Sequence, residues 1–562
     1  MSRTSRRDKG EGPPFVRIRL AIAGLFMLAA YAVIGGRLLW LAIDEETPSR
    51  ERVSQLEVPV LERADIVDRN GRILATNVPV DALYADTRHI WDPKEAAQEL
   101  ARVLPELDVV ELEQKLSSGA AFEWIKRDLT PRQYASVRAL GIAGLAVKRE
   151  QRRVYPNGHS AAHLLGYVNL DNRGIAGVEA SLDTTLRDPK RGGEPVTLSI
   201  DLRVQHVLED ELASAIETFS AEAAAGIVLD IHTGEVLGMA SLPDFDPNAP
   251  NYDPNNADED TKARMFNRAS LGVYEMGSTF KAMTTAMALD AGVVTINSTY
   301  DVRKPIRIGR FTIHDYKPKT HPLTVTEIFE YSSNIGTAHM AMDIGASRQQ
   351  IYFDLFGMFK PAPIELPEVG APLLPQKWGD VTTMTVSYGH GIAVSPIQTA
   401  AAFAAVANGG LYIAPTLLKR PAGTGVPVRR VVSENVSAEM RTLLRRAVTE
   451  GTGGQADVPG YPVGGKTGTA EKAVGGGYDE KSLISSFIGV FPALSPRYLV
   501  LIILDEPQGT EETHGYATAG WTAAPTTGKV VSRIGPLLGV RPEPIPLEVT
   551  DGATQMAAQS DR

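Results

Sequence analysis

Tyr274-Glu275-Met276-Gly277-Ser278-Thr279-Phe280-Lys281 sets a serine and a lysine three residues apart, directly after a glycine and ahead of the apolar run AMTTAMAL. It is the only Ser-x-x-Lys in the chain. The pattern predicts a helix that opens at Ser278 and covers 279–290. Residues three apart share a helix face, so Lys281 is expected beside the Ser278 hydroxyl. A serine hydroxyl is a poor nucleophile until a neighbour takes its proton. A lysine serves as that base only when burial or a second cation pulls it far below its usual ~10.4. The helix N-terminus adds positive potential and unpaired N–H donors. Alone, the pair reads more readily as an N-capping serine followed by a solvated lysine.

Two further motifs follow in order. Tyr331-Ser332-Ser333-Asn334 supplies Ser-x-Asn within a stretch, 324–345, that reads as helix, and Lys466-Thr467-Gly468-Thr469 lies in the small-residue strand 463–470. Ser-x-x-Lys, Ser-x-Asn and Lys-Thr-Gly in this order are the signature of acyl-serine enzymes that recognise penicillin. A second Ser-x-Asn, Ser433-Glu434-Asn435, precedes the amphipathic VSAEMRTLLRRAV and reads as a helix cap. Gly460 to Thr467 also spells G-x-x-x-x-G-K-T, the phosphate-loop pattern. That loop must follow a buried strand and open a helix, whereas GTGGQADVP precedes it here and GTAEKAVGGGY follows it. His159 and His163 stand four apart, but the glutamate of a zinc-hydrolase helix is absent, so a structural role is expected and no metal.

The compartment supports the acyl-serine reading. Residues 1–19 carry Arg3, Arg6, Arg7, Lys9, Arg17 and Arg19 against Asp8 and Glu11; Leu20–Gly36 then runs without a charge, and LLWLAI continues it after Arg37. Such a segment spans a bilayer as a helix with Arg37 snorkelling, and the basic flank places the N-terminus in the cytoplasm. A cleaved secretory signal with Ala30-Tyr31-Ala32 at its cleavage site is the competing reading, disfavoured because the apolar stretch continues to Trp40. In both cases the bulk of the chain lies outside the cytoplasm, where nucleotide is scarce. The formal net charge of -10 argues against a nucleic-acid partner. The absence of cysteine among 562 residues excludes disulfides, a catalytic thiol and thiolate-bound metal.

The expected partition is a basic tail (1–19), a membrane anchor (20–43), a pedestal (44–190), a catalytic domain (191–545) and a polar tail (546–562). Asp65–Ala75 reads as a hairpin, with Asn70-Gly71 supplying positive φ angles. Residues 226–241 read as a second hairpin around His232-Thr233-Gly234, 485–492 and 498–507 as consecutive buried strands, and 396–408 and 524–538 as helices. Strand pairs at both ends of the domain with helices between them predict an α+β fold, an antiparallel sheet covered by helices.

Over nearly its whole length the chain resembles class B penicillin-binding proteins, and among them the FtsI-type septal enzymes. RADIVDRNGRILA, LLGYVNLDNRGIAGVE, LSIDLRVQ, VLDIHTGEVLGMAS, FNRASLGVYEMGSTFK, YGHGIAVSPIQ and GGKTGTAEK carry the likeness. Relatives often have proline at the position of Met276 and glycine at that of Ala64, departures that remove no functional group. The resemblance implies a D,D-transpeptidase of the penicillin-binding and β-lactamase-like fold, requiring no cofactor. It implies that Ser278 attacks the D-Ala-D-Ala carbonyl, Lys281 accepts its proton, Ser332 relays a proton to the leaving amine, and Asn334 bonds Lys281 and the substrate amide. Lys466 would draw in the substrate carboxylate, held by Thr467 and Thr469 on either side of Gly468. The backbone N–H groups of Ser278 and Thr469 would form the oxyanion hole. The acceptor is expected to be a diaminopimelate amine of a second stem peptide, and β-lactams are expected to trap Ser278. The implied partner is a polytopic glycan polymerase of the shape, elongation, division and sporulation family (FtsW-type), in the inner membrane of a Gram-negative cell. An elongation-specific transpeptidase and a non-catalytic β-lactam sensor or division scaffold are the alternatives.

Overall fold

The computed structural model describes residues 14–43 and 63–544, apart from 251, 254, 255, 310, 422, 475 and 476. Residues up to 61 and from 62 onward form two units. In the first, helix α1 (Pro14–Ile43) covers the expected anchor and begins six residues before it. Its 30 residues make about 45 Å at the usual rise. Ala21–Trp40 is long and apolar enough to cross a membrane. The Arg37 guanidinium lies 4.2 Å from the Trp40 ring centre, a cation packed on an aromatic ring. The polar tail 546–562 lies outside the described residues.

The second unit opens with a mixed sheet of β1 (Ile66–Val67), β2 (Ile73–Ala85), β3 (Glu123–Leu129), β4 (Leu145–Val154) and β5 (Val196–Thr197). The expected hairpin joins β1 and β2, with a register shift at Ile66/Val67. Of Asn70 and Gly71, Gly71 alone has a positive φ, +83°. The Asp68 carboxylate explains the difference: it accepts the N–H groups of Asn70 and Arg72, both at 2.8 Å, so the turn needs only one left-handed residue. Arg63, Arg153 of β4 and Glu179 are all buried. The Glu179 carboxylate accepts from Arg63 Nε and Arg153 Nε, each at 2.6 Å. Charges taken out of water persist only when paired this closely.

The catalytic-type sheet is five-stranded and antiparallel throughout. Its strands are β6 (Ala223–Asp230), β7 (Val236–Leu242), β8 (Gly464–Val474), β9 (Gly477–Phe491) and β10 (Tyr498–Asp505), in the order β8-β9-β10-β6-β7. The predicted assembly from both ends of the domain is therefore observed. Alternate strand residues feed two cores, as a period of two requires. Val228, Phe487, Val500 and Ile502 pack against α2 (Leu202–Phe219) and, across the same face, a C-terminal helix at Ala523–Leu537. Ile227, Ile488, Leu501 and Ile503 face α3 (Phe280–Asp290), α4 (Asn334–Ile344), α5 (Pro396–Ala407) and α6 (Glu434–Thr449). Every residue of α3 from Phe280 to Leu289 is buried, so the helix that follows Ser278 runs through the middle of the domain.

The single helix predicted over 324–345 is two. One ends at Glu330 and α4 starts at Asn334. Between them the Ser333 N–H reaches back to Ile328 O (2.9 Å) and the Ser332 N–H to Phe329 O (3.3 Å), with Ser332 left-handed at φ +56°. This is the hydrogen-bond pattern of a Schellman C-cap, which usually carries glycine at the left-handed position. A serine there disguises the break in the sequence.

Candidate active site

Ser278 lies in a one-turn 3-10 segment, Gly277–Thr279, that feeds α3. Gly277 has φ +54°, a left-handed conformation that favours glycine. Gly389, in the YGHGIAVSPIQ stretch, comes so close that a Cβ on it would lie 2.2 Å from Gly277 O. On the other side a Cβ on Gly277 would lie 3.1 Å from Thr469 O, so the serine turn rests directly on β8. Met276 has φ -80°, near the value a proline ring imposes, and is buried. Ser278 is half-buried, and its Oγ makes no hydrogen bond among the described residues.

Lys281 follows one turn on and is 1% exposed. Its Nζ donates to Ser332 O at 2.6 Å and Asn334 Oδ1 at 2.7 Å and lies 3.0 Å from Ser332 Oγ. The Ser-x-Asn motif thus meets the Ser-x-x-Lys motif across the gap between the two helices. Lys466, on β8 and equally buried, contacts Thr467 O at 3.5 Å and lies 6.0 Å from the Phe329 ring centre. Burial pulls the Lys466 ammonium down to about 7. Lys281 is pushed well below the ordinary lysine range, first by burial and then by the Lys466 charge, with Asp315 pulling the other way. Two buried lysines that cannot comfortably both be charged leave an amine in its basic form near neutrality.

The remaining expected residues line β8. Thr467 Oγ1 pairs with Thr452 Oγ1 at 2.7 Å, and Thr469 Oγ1 accepts the Ala519 N–H at 3.2 Å. A Cβ on Gly468 would sit 2.7 Å from Met276 O, so only glycine allows this approach between strand and turn. Two participants were invisible in the sequence, Asp315 and Thr452. Neither belongs to a short motif, and each meets the site through tertiary packing alone.

The rejected readings resolve as structure. Residues 464–474 are a strand with no helix after them, so no phosphate loop exists there. Ser433 caps α6 through Val436 N. Ser433→Ala is therefore expected to cost about 1 kcal/mol of stability, read as a lower unfolding midpoint, with penicillin labelling unchanged. His159 pairs with Asp244 at 3.0 Å, while His163 Nε2 meets Arg264 O at 2.8 Å. Burial lowers His163 to about 4. The two imidazoles serve separate partners.

Comparison with known proteins identifies the family. The penicillin-binding protein transpeptidase domain matches residues 224–528, and the penicillin-binding protein dimerisation domain matches 60–211. The chain is 45% identical over 490 residues to a probable peptidoglycan D,D-transpeptidase FtsI of Caulobacter vibrioides, covering 85% of this chain and 82% of that protein. It is 30% identical over 567 residues to the peptidoglycan D,D-transpeptidase FtsI of Escherichia coli K12, covering 94% and 93%. Among solved structures, penicillin-binding protein 3 of Mycobacterium tuberculosis complexed with aztreonam superimposes with a TM-score of 0.66 at 25% identity, over 86% of this chain and 98% of that one. The chain belongs to the class B penicillin-binding proteins.

Proposed function

We propose that this protein cross-links peptidoglycan stem peptides at the division septum as a serine-type D-Ala-D-Ala transpeptidase. The observation that supports it most directly is the convergence of the Lys281 amine on Ser332 and Asn334, one turn from a half-exposed Ser278. In this mechanism neutral Lys281 takes the Ser278 proton as Oγ attacks the penultimate D-alanine carbonyl. The N–H groups of Ser278 and Thr469 hold the oxyanion, each worth about 3–4 kcal/mol. Ser332 passes a proton to the departing amine, and D-alanine leaves an ester on Ser278. Lys466, Thr467 and Thr469 hold the donor's terminal carboxylate beside Gly468, and Asn334 bonds its peptide amide. A diaminopimelate amine of a neighbouring stem peptide then attacks the ester, forming the new amide and returning the proton to Ser278. β-Lactams enter as mimics of the donor dipeptide and stop at the ester.

The proposed layout is a basic cytoplasmic tail, α1 as a single-pass anchor in the inner membrane, a pedestal over 44–190 and a periplasmic catalytic domain over 191–545. The proposed partners are a polytopic glycan polymerase of the FtsW type and other division proteins of the membrane. Labelling the full-length protein with a fluorescent penicillin, then mapping the adduct by mass, tests the chemistry. The adduct is expected on the peptide containing Ser278, and an absent adduct or one elsewhere overturns the acyl-serine assignment. Depletion is expected to give filaments, whereas rounded cells would reassign the enzyme to elongation.

A further inference from the structure

The turn that carries Ser332 and Asn334 is gripped from behind by a carboxylate. Asp315 follows the short strand Phe311–Ile313 and is 8% exposed. Its Oδ1 accepts the N–H groups of Asn334 (2.6 Å) and Ile335 (3.0 Å), and its Oδ2 accepts the Ser333 hydroxyl (2.7 Å). Ser333 Oγ in turn accepts the Gly336 N–H at 3.0 Å. The first three N–H groups of α4, otherwise orphaned at a helix start, are therefore all satisfied. The Asn334 side chain is fixed at both ends, Nδ2 donating to His314 O at 3.1 Å and Oδ1 accepting from Lys281 Nζ at 2.7 Å. The charged groups that act on Lys281 are Lys466 from β8 and Asp315; Asp315 is the anion of this set.

We propose that Asp315 is a positioning residue for acylation of Ser278: it clamps residues 333–335 so that Ser332 and Asn334 meet Lys281, and it supplies the negative charge facing that buried amine. A helix start binds a carboxylate favourably. The same charge opposes the burial and the Lys466 repulsion that favour neutral Lys281. Removing it should make Lys281 give up its proton more easily while loosening the turn. The two effects move the reaction in different directions, and that separates them from simple unfolding.

This inference rests on the acyl-serine reading above, and the experiment keeps the two apart. The second-order acylation constant of full-length protein with a fluorescent penicillin is measured from pH 5 to 9 for wild type, Asp315→Asn and Ser333→Ala. Stoichiometric labelling at long times gives the folded fraction of each. Asp315→Asn keeps the shape and loses the charge. It is expected to acylate about 10-fold to 100-fold more slowly at its plateau, with the acid limb of the profile displaced by about one pH unit toward acid. Ser333→Ala removes the donor to Asp315 and the acceptor of the Gly336 N–H but keeps the charge, so it slows acylation with the limb in place. An Asp315→Asn profile that retains the wild-type limb, whatever its height, overturns the proposal. Failure of the wild type itself to label would instead strike the acyl-serine reading.

Discussion

Ser278→Ala is expected to leave no covalent penicillin band at any exposure time and no transpeptidation product, while the protein folds as before. The expectation has two parts with separate physical grounds. Loss of the adduct is complete because the ester oxygen is the Ser278 Oγ itself; with a methyl group there, no neighbouring group can accept the acyl chain. Ser332 is held by the Lys281 amine, and Thr467 and Thr469 are engaged with Thr452 and Ala519. Preservation of the fold follows from the isolation of the hydroxyl. Among the described residues Ser278 Oγ makes no hydrogen bond, so nothing buried is left unpaired when it goes. A change of this kind usually shifts stability by less than about 0.5 kcal/mol. The unfolding midpoint of the variant, measured beside its labelling, checks both parts. A residual band on Ser278→Ala would mean that another hydroxyl carries the acyl group.

The hydroxyl stands free because of packing that no local pattern announces. The sheet was legible because it obeys simple rules: two hairpin-like runs at one end, two apolar runs at the other, and alternation onto two faces. The core helix after Ser278 was legible from its apolar length. Hidden from view was the geometry between motifs. Ser332 adopts φ +56° with a side chain that ordinarily avoids that region, so 324–345 reads as uninterrupted helix although its break is what turns Ser332 and Asn334 toward Lys281. Asp315 and Thr452 are single polar residues in irregular segments. Their partners lie 15 to 20 positions away, at Ser333, Asn334, Ile335 and Thr467, distances at which no sequence period operates. The turn at Asp68 shows the reverse case. Asn-Gly announces the hairpin, but the carboxylate two residues earlier decides which residue becomes left-handed.

Lys281→Met should slow acylation by at least about 10²–10⁴-fold, the usual contribution of a positioned general base, and should also change how stability responds to pH. Methionine matches the length and apolar stem of lysine, so α3 stays packed; what disappears is the amine that links Ser332 O, Ser332 Oγ and Asn334 Oδ1. The protonation argument fixes the sign of the second effect. Burial and Lys466 push the folded-state Lys281 well below the lysine range, whereas the unfolded chain titrates near ~10.4. Between those two values the unfolded chain holds a proton that the folded protein lacks, so stability rises with pH across the window. Replacing Lys281 removes its share of that slope. Lys466, lowered to about 7, keeps its own share above that pH. Unfolding midpoints measured from pH 6 to 9 should therefore rise with pH less steeply for the variant than for wild type. A buried, hydrogen-bonded lysine of purely structural value would lose stability on substitution but leave the acylation rate of the folded fraction within a few-fold of wild type. That outcome would remove Lys281 from the chemistry and, with it, the reason for burying a second lysine on β8.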